Sequence, residues 1–341
     1  MRTVPVEDAV GKVLCHDITQ IVPGFFTGRA FKKGCIIQPE DVPKLLDLGK
    51  AHIYVQDLPA GAIHENEAAQ RIAAAAVGNG LRLSEPAEGK VGLIARHSGL
   101  LSVNVAALDR INAIEDVMFA TLHTRQQVDA GQSVAGTRII PLFTDEQRIT
   151  AVERICRECF PVIQVKTFTP VKVGIVTTGS EIYHGRIEDK FGPILRKKFD
   201  ALGSEVIDQV FVSDDIAMTV AAIQGLIRAG AQLIAVTGGM SVDPDDQTPA
   251  SIRAAGGKVV TYGAPVLPGA MFMLAYIDDI PVVGLPGCVM YYKASIFDLV
   301  IPPMLAGETI TKADIVRMGH GGFCSNCPDC RYPLCSFGKT V

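Results

Sequence analysis

The alternation of apolar and polar positions is most regular between Val171 and Leu305. Three apolar runs over residues 173–177, 233–236 and 281–285 are separated by stretches with the spacing of amphipathic helices. Continuous apolar runs of this length are typical of buried parallel strands, and helices between them indicate βαβ units. The sequence therefore predicts an α/β domain with a mostly parallel sheet over residues 170–307.

The chain before residue 170 is less regular. Residues 1–60 are short segments punctuated by Gly and Pro, which predicts a small β-rich region. Residues 61–169 predict a mixed α/β region, with helices over 64–77 and from Thr144, where Gln147 completes a capping-box pattern. Residues 318–341 form a cysteine-rich tail.

Size and charge narrow the class of protein. The chain has 341 residues, enough for two or three domains, and a net charge of −4. This charge gives no reason to expect nucleic acid or an anionic membrane as a partner. No signal-peptide pattern and no run of roughly 18 apolar residues is present, so we expect a cytoplasmic protein. Homo-oligomer formation is left open.

A glycine-containing loop follows each of the three apolar runs. Glycine allows backbone N–H groups to approach an oxyanion closely, and ligands of open parallel sheets lie beyond the carboxyl ends of the strands. Each loop alone is explained by a tight turn, but three at one sheet edge predict a site for an anionic small molecule. The predicted binding residues are Thr178, Gly179, Ser180, Gly238, Gly239, Ser241, Pro286 and Gly287.

Carboxylates stand beside these loops. Those predicted to take part in chemistry are Glu181, Asp214, Asp215 and Asp246, and Asp243 and Asp245 lie close to the last of them. For any single acid the simpler interpretation is a helix cap or a solvated turn. Acids at the ends of three neighbouring strands favour Mg²⁺-assisted phosphoryl or nucleotidyl chemistry, because Mg²⁺ prefers one or two carboxylates plus substrate oxygens.

These loops and acids follow one another in the order and spacing of a known family. Thr178-Gly-Ser-Glu181, Asp214-Asp215, Thr237-Gly-Gly-Met-Ser-Val242 with Asp246, and Gly284-Leu-Pro-Gly287 resemble the MoaB/Mog-type molybdopterin-binding domain. The Gly-Gly-x-Ser-Val core is most similar to the molybdopterin molybdotransferases. Residues 31–49 and 135–141 resemble the front part of the same family less specifically.

The resemblance implies a three-layer α/β domain in a protein of molybdenum cofactor biosynthesis. It implies that the glycine loops bind molybdopterin or its adenylated form. It also implies that the acids at the places of Asp246, Glu181 and Asp214 or Asp215 support metal-dependent transferase chemistry.

The sequence departs from the family at several donors. Asp189-Lys-Phe191 stands where an Asp-x-Asn is common, Ala270 where a lysine is common, and Cys288 where an asparagine is common. Because few residues follow Leu305, we do not expect the C-terminal barrel of the molybdotransferases in this sequence. Three functions therefore stay open: Mg²⁺-dependent insertion of molybdate into adenylated molybdopterin, a non-catalytic carrier, sensor or docking module, and a nucleotide-processing hydrolase on the same fold.

A second candidate site lies in the tail. Cys324, Cys327, Cys330 and Cys335 follow the spacing C-x₂-C-x₂-C-x₄-C, which is a strong metal-ligand pattern. Zn²⁺ and an iron–sulfur cluster are two equally supported interpretations of this spacing. Free thiols in a flexible tail are a third, less favoured interpretation. Because the tail has few large apolar residues, we expect metal binding to order it.

Overall fold

The computed structural model describes residues 2–22, 26–56, 60–87, 89–244 and 246–339. The chain forms two compact units. The first comprises Met1–Ala95, Val103–Thr121 and Gln132–Gln164, and the second comprises Arg96–Ser102, Leu122–Gly131 and Val165–Val341. The structure thus groups the predicted regions 1–60 and most of 61–169 in one unit, and places the tail in the same unit as residues 170–307.

In the described residues up to 166, the elements are short strands, one 3-10 helix (Val6–Ala9) and four α-helices. The strands are β1 (Arg2–Pro5), β2 (Val13–Leu14), β3 (Ile18–Val22), β4 (Phe26–Phe31), β5 (His52–Gln56), β6 (Ala62–His64), β7 (Leu81–Leu83), β8 (Lys90–Ala95), β9 (Gly99–Val103), β10 (Val117–Thr121), β11 (Gln127–Val128), β12 (Ser133–Ile139), β13 (Phe143–Asp145) and β14 (Ile163–Lys166). The helices are α1 (Asp41–Asp47), α2 (Glu65–Ala76), α3 (Val105–Asn112) and α4 (Glu146–Glu158).

The first unit is built from antiparallel sheets and the helices that cover them. Its largest sheet has the order β10-β12-β8-β7, and α2 packs on β8 and β12. The buried face of α2 is mostly alanine around Ile72, and these small side chains let the helix approach the sheet closely. A smaller sheet, β1-β5-β2, has its own core with Leu14, Leu45 and Ile53.

One predicted helix start is off by a residue. Asp145, and not Thr144, caps α4, because its side chain accepts a hydrogen bond of 2.8 Å from the amide of Gln147. Thr144 lies in β13 and donates to Asp116 instead.

The second unit contains the predicted α/β domain. The strands of this domain are β15 (Lys172–Thr178), β16 (Glu205–Val212), β17 (Leu233–Thr237), β18 (Lys258–Tyr262), β19 (Met273–Ile277) and β20 (Ile280–Leu285). Its helices are α5 (Ser180–Tyr183), α6 (Phe191–Ala201), α7 (Ile216–Arg228), α8 (Thr248–Ala254), α9 (Cys288–Tyr291), α10 (Ile296–Leu305) and α11 (Lys312–Arg317).

These six strands form one sheet with the order β16-β15-β17-β20-β19-β18. The first four are parallel, and β19 runs antiparallel to both of its neighbours. Alternate residues of β15 enter separate cores: Val173 and Ile175 pack with Phe199 of α6, whereas Val176 packs with Ile223 of α7. Helices therefore cover both faces, and the predicted three-layer α/β fold is confirmed.

The segment that follows β20 forms two separate helices, α9 and α10. Ser295 begins α10 with a capping box, in which the Ser295 amide donates to Asp298 Oδ2 at 2.8 Å. This cap ends the continuity with α9, because Ser295 itself has an extended backbone. No helix in the described part of the chain is long and apolar enough to cross a membrane.

The tail is attached to the second unit by apolar burial and backbone hydrogen bonds. Phe337 is 2% exposed within the core that contains Phe297. The Leu267 amide donates to the Gly322 carbonyl, and the Cys324 amide donates to the Leu267 carbonyl, both at 2.8 Å. The tail was expected to be ordered by metal binding, and the structure adds burial of Phe337 as a second source of order. A single buried aromatic residue produces no periodic pattern, so this anchor could not be predicted from the sequence.

We predict that Phe337→Ala lowers the free energy of unfolding of the second unit by about 3–5 kcal/mol, the cost of removing a fully buried phenylalanine. Denaturant unfolding measures this change. Phe323→Ala is the matched control, since Phe323 lies in the same tail but is 70% exposed. Its effect should stay within about 0.5 kcal/mol, and equal effects of the two variants would contradict the anchoring role of Phe337.

Candidate ligand site at the carboxyl edge of the sheet

The four parallel strands end side by side. Thr178 of β15 pairs with Val212 of β16, and Thr237 of β17 pairs with Leu285 of β20. Thr237 also aligns with Thr177 of β15. The loops that start at these ends therefore lie at one edge, as predicted, while their role in binding stays a prediction.

In the first loop, two amides already have acceptors within the protein. The Gly179 amide donates to the Val212 carbonyl at 3.2 Å, and the Ser180 amide donates to Asp214 Oδ2 at 2.8 Å. The Ser180 and Ser213 hydroxyls are paired at 2.9 Å. The N–H groups that were predicted to hold an oxyanion here are thus occupied by β16 and the loop after it.

In the second loop, the carbonyl groups are the ones that are occupied. Buried Thr248 donates its hydroxyl to the Gly238 carbonyl at 2.8 Å and its amide to the Gly239 carbonyl at 3.1 Å. The Tyr262 hydroxyl donates to the Met240 carbonyl at 3.2 Å. The amides of Gly239 and Ser241 donate to no acceptor in the described ranges, so they are donors that a ligand could use.

Gly238 and Gly287 have different reasons to be glycine. Gly238 has a φ of +84°, and a Cβ there would lie 2.2 Å from the Thr178 carbonyl oxygen, so the fold itself requires glycine. Gly287 has a φ of −54°, and a Cβ there would meet nothing within 4 Å. The fold does not require glycine at position 287, and the missing side chain leaves open space at this end of β20.

Cys288 follows this glycine and begins α9. Burial raises the pKa of the Cys288 thiol above its ordinary value. The thiol is therefore protonated at neutral pH, and Cys288 is a weak hydrogen-bond donor there, not a thiolate nucleophile.

The acids at this edge are mostly engaged with backbone amides. Asp214 accepts from Ser180, Asp215 caps α7 by accepting from Met218 at 2.7 Å, and Asp246 Oδ2 accepts from Asp243 at 3.2 Å. Glu181 is exposed, and Asp245 lies outside the described residues. Within the described ranges no three His, Cys, Asp or Glu side chains are grouped as metal ligands.

A network of polar side chains that was not predicted from the sequence lies beneath the carboxyl edge of the sheet. Gln209 Nε2 donates to Asp189 Oδ2 at 2.6 Å and to Thr177 Oγ1 at 3.0 Å, and Thr237 Oγ1 donates to Thr177 Oγ1 at 3.3 Å. Asp189 also accepts from the Phe191 amide at the start of α6. Threonine at the ends of two adjacent apolar strands was the available signal. The network ties β15, β16, β17 and α6 together below the loops.

The four tail cysteines line one cavity, and the lining of this cavity contains no residue of the three glycine loops. Cys324 and Cys335 are half-buried, and Cys327 and Cys330 are exposed. His320 is exposed and does not line the cavity.

Comparisons with known proteins agree with the sequence resemblance over the sheet domain. Residues 174–307 match a family described as "Probable molybdopterin binding domain", and residues 3–57 match a family described as a domain of unknown function, DUF8806. The match over residues 174–307 agrees with the predicted resemblance to a molybdopterin-binding domain.

Individual relatives cover parts of the chain. A molybdopterin molybdenumtransferase of Synechococcus elongatus is 24% identical over 147 residues, which are 41% of this chain and 36% of the relative. A molybdopterin adenylyltransferase of Pyrococcus furiosus is 31% identical over 98 residues, which are 29% of this chain and 56% of the relative. The chain thus spans about a third and about half of the length of these two relatives.

Among solved structures, the molybdopterin biosynthesis enzyme MoaB of Thermus thermophilus is similar to this chain. The two are 19% identical with a TM-score of 0.33, over 40% of this chain and 98% of the other.

We predict that Thr248→Val, which keeps the shape but removes the hydroxyl, destabilises the second unit by about 1–3 kcal/mol. The reason is that the Gly238 carbonyl loses its donor in a partly buried position. Thr248→Ser retains the hydroxyl and should lose less. Thermal and denaturant unfolding of the three proteins measure the difference, and a Ser variant as unstable as the Val variant would show that the hydroxyl does not hold the loop.

Proposed function

We propose that this protein binds molybdopterin or its adenylated form at the carboxyl edge of the sheet and acts in molybdenum cofactor biosynthesis or handling. The observation that carries the proposal is the pairing of two features within residues 174–307. The amides of Gly239 and Ser241 have no acceptor in the described ranges, and the space beside Gly287 is open. The names of the relatives supply the ligand class.

The geometry divides the work among the three loops. The second loop supplies N–H donors for the phosphate, and the buried Thr248 and Tyr262 hold that loop through its carbonyl groups. The first loop, closed by Asp214, shapes the neighbouring wall. Gly287 leaves room for the body of the ligand. No covalent nucleophile is needed, in agreement with the protonated thiol of Cys288.

A Mg²⁺ ion fits the available acids only if most of its ligands are substrate oxygens or water. Asp215 is a helix cap and Asp214 holds an amide, so Asp246 and exposed Glu181 are the residues that would hold the ion. One or two carboxylates are what Mg²⁺ ordinarily takes from a protein. When bound, it would polarise a phosphoryl oxygen and support molybdate insertion.

A carrier or sensor without turnover is the second candidate. The support for it is that Asp214, Asp215 and Asp246 all accept hydrogen bonds from backbone amides, so each has a structural role that does not depend on catalysis. A nucleotide-processing hydrolase would use the same edge and acids, but it would not retain a pterin.

We predict that Gly287→Leu lowers the pterin content of the purified protein by at least about tenfold while changing stability by less than about 1 kcal/mol. A Cβ at this position meets no protein atom within 4 Å, so the added side chain starts in open space. Extraction, oxidation and fluorescence measure the pterin. Gly225→Leu is the matched control, because position 225 in α7 is equally open. Unchanged pterin in Gly287→Leu would remove this edge from binding, and nucleotide without pterin in the parent would favour the hydrolase.

We predict that Asp246→Asn lowers Mg²⁺- and molybdate-dependent cofactor formation by about 100-fold or more while pterin is retained. A neutral amide keeps the shape of the side chain but loses the charge that holds the cation. Asp279→Asn, in the exposed turn between β19 and β20, is the control. Equal activity of Asp246→Asn and the parent would exclude Asp246 from the mechanism, and an inactive parent that retains pterin would support the carrier.

A further inference from the structure

The C-terminal tail and the segment after α9 enclose a cavity of about 210 Å³. All four tail cysteines line it, together with Tyr291, Lys293 and Tyr332. A water molecule occupies about 30 Å³ of liquid volume, so the cavity has room for a single ion or for a small cluster. We propose that this cavity is a site for one thiolate-bound metal centre, held by Cys324, Cys327, Cys330 and Cys335.

Two of the four thiols are fixed by the fold. The Cys324 amide donates to the Leu267 carbonyl at 2.8 Å, and Cys324 and Cys335 pack against the core that contains buried Phe337. The Tyr332 hydroxyl donates to the Asp298 carbonyl at 2.9 Å and holds the chain between them. A metal that arrived at this cavity would therefore find two ligands already positioned on the domain.

The other two thiols lie on the exposed loop that joins these anchors. Cys327 and Cys330 are exposed, and Asn326 turns the loop with a φ of +50°. All nine cysteines of the chain are free, so no disulfide accounts for the four in the tail. Since no three His, Cys, Asp or Glu side chains in the described ranges already form a metal-ligand group, metal binding has to draw this loop inward.

The charges around the cavity suit such a centre. Four thiolates around a divalent ion carry a net charge of about −2, by simple addition of formal charges. Lys293 and Arg331 line the same cavity and would offset this charge. Exposed thiols on a surface loop are otherwise a liability, because they oxidise.

Another C-x-x-C pair, Cys156 and Cys159, lies outside the tail and has a different environment. Cys156 is buried in α4, and burial raises the pKa of its thiol to about 11. The Cys159 sulfur accepts a hydrogen bond of 3.3 Å from Arg110. Neither thiol of this pair lines the tail cavity, so the pair supplies a control for non-specific binding.

The test is metal binding by the full-length protein. We expect metal-free protein, reduced and titrated with Co²⁺, to bind one ion per chain and to show intense thiolate-to-cobalt absorption. The double variant Cys327→Ser/Cys330→Ser should lose affinity by more than about 100-fold, because removing two direct ligands costs more than changing an outer contact. Both positions are exposed, so the variant should unfold like the parent. Cys159→Ser should bind as the parent does.

Thiol labelling gives an independent readout. Metal-loaded parent should have Cys327 and Cys330 protected from alkylation, and removal of the metal should expose them again. Unchanged alkylation of all four tail thiols with Co²⁺ present, or equal Co²⁺ binding by the double variant, would overturn the proposal.

Analysis of protein purified without oxygen separates the two kinds of centre. Zinc without acid-labile sulfide would identify a single ion, and iron with sulfide would identify a cluster; either result supports the thiolate site. Pterin content, measured on the same samples, tests the sheet-edge proposal separately, so failure of one proposal is distinguishable from failure of the other.

Discussion

Parallel pairing of β15, β16, β17 and β20 is the constraint on which the candidate site depends. Because these strands run in one direction, all four carboxyl ends meet at one edge, with Thr178 beside Val212 and Thr237 beside Leu285. The register is held by burial on both faces, since a slip by one residue would move each side chain of β15 into the opposite core. The loops after these strands therefore lie close together because of the packing of the sheet.

Hydrogen-bond satisfaction then divides the edge into different parts. Buried or partly buried backbone groups need partners, and each loop finds them differently. The first loop uses its amides internally, through the Val212 carbonyl and Asp214, whereas the second uses its carbonyl groups, through Thr248. What remains for a ligand is therefore concentrated at the second loop and beside Gly287, and not spread equally over three glycine loops.

The tail combines two kinds of attachment. Phe337 and the backbone bonds at Leu267 hold its ends by burial and by hydrogen bonding. The loop with Cys327 and Cys330 makes no backbone hydrogen bond to the described residues, and its thiols are exposed. This division separates the placement of the tail, which apolar packing achieves, from closure of its loop, for which the four thiols provide the chemistry.

Elements whose signals are local could be predicted from the amino-acid sequence. The apolar run at residues 173–177 forms β15, and the amphipathic stretch that begins at Ile216 forms α7. Both could be predicted because the strand and helix periods depend on residues that are close in sequence. The sequence also indicated that the glycine loops follow parallel strands. Which polar groups find a hydrogen-bond partner inside the protein depends on tertiary packing. Ser180 and Asp214, which are hydrogen-bonded, are 34 residues apart in the sequence. Thr248, the first residue of α8, donates its hydroxyl to the Gly238 carbonyl in the loop after β17. Such partners are chosen by how strands and helices pack, and no local pattern records that choice.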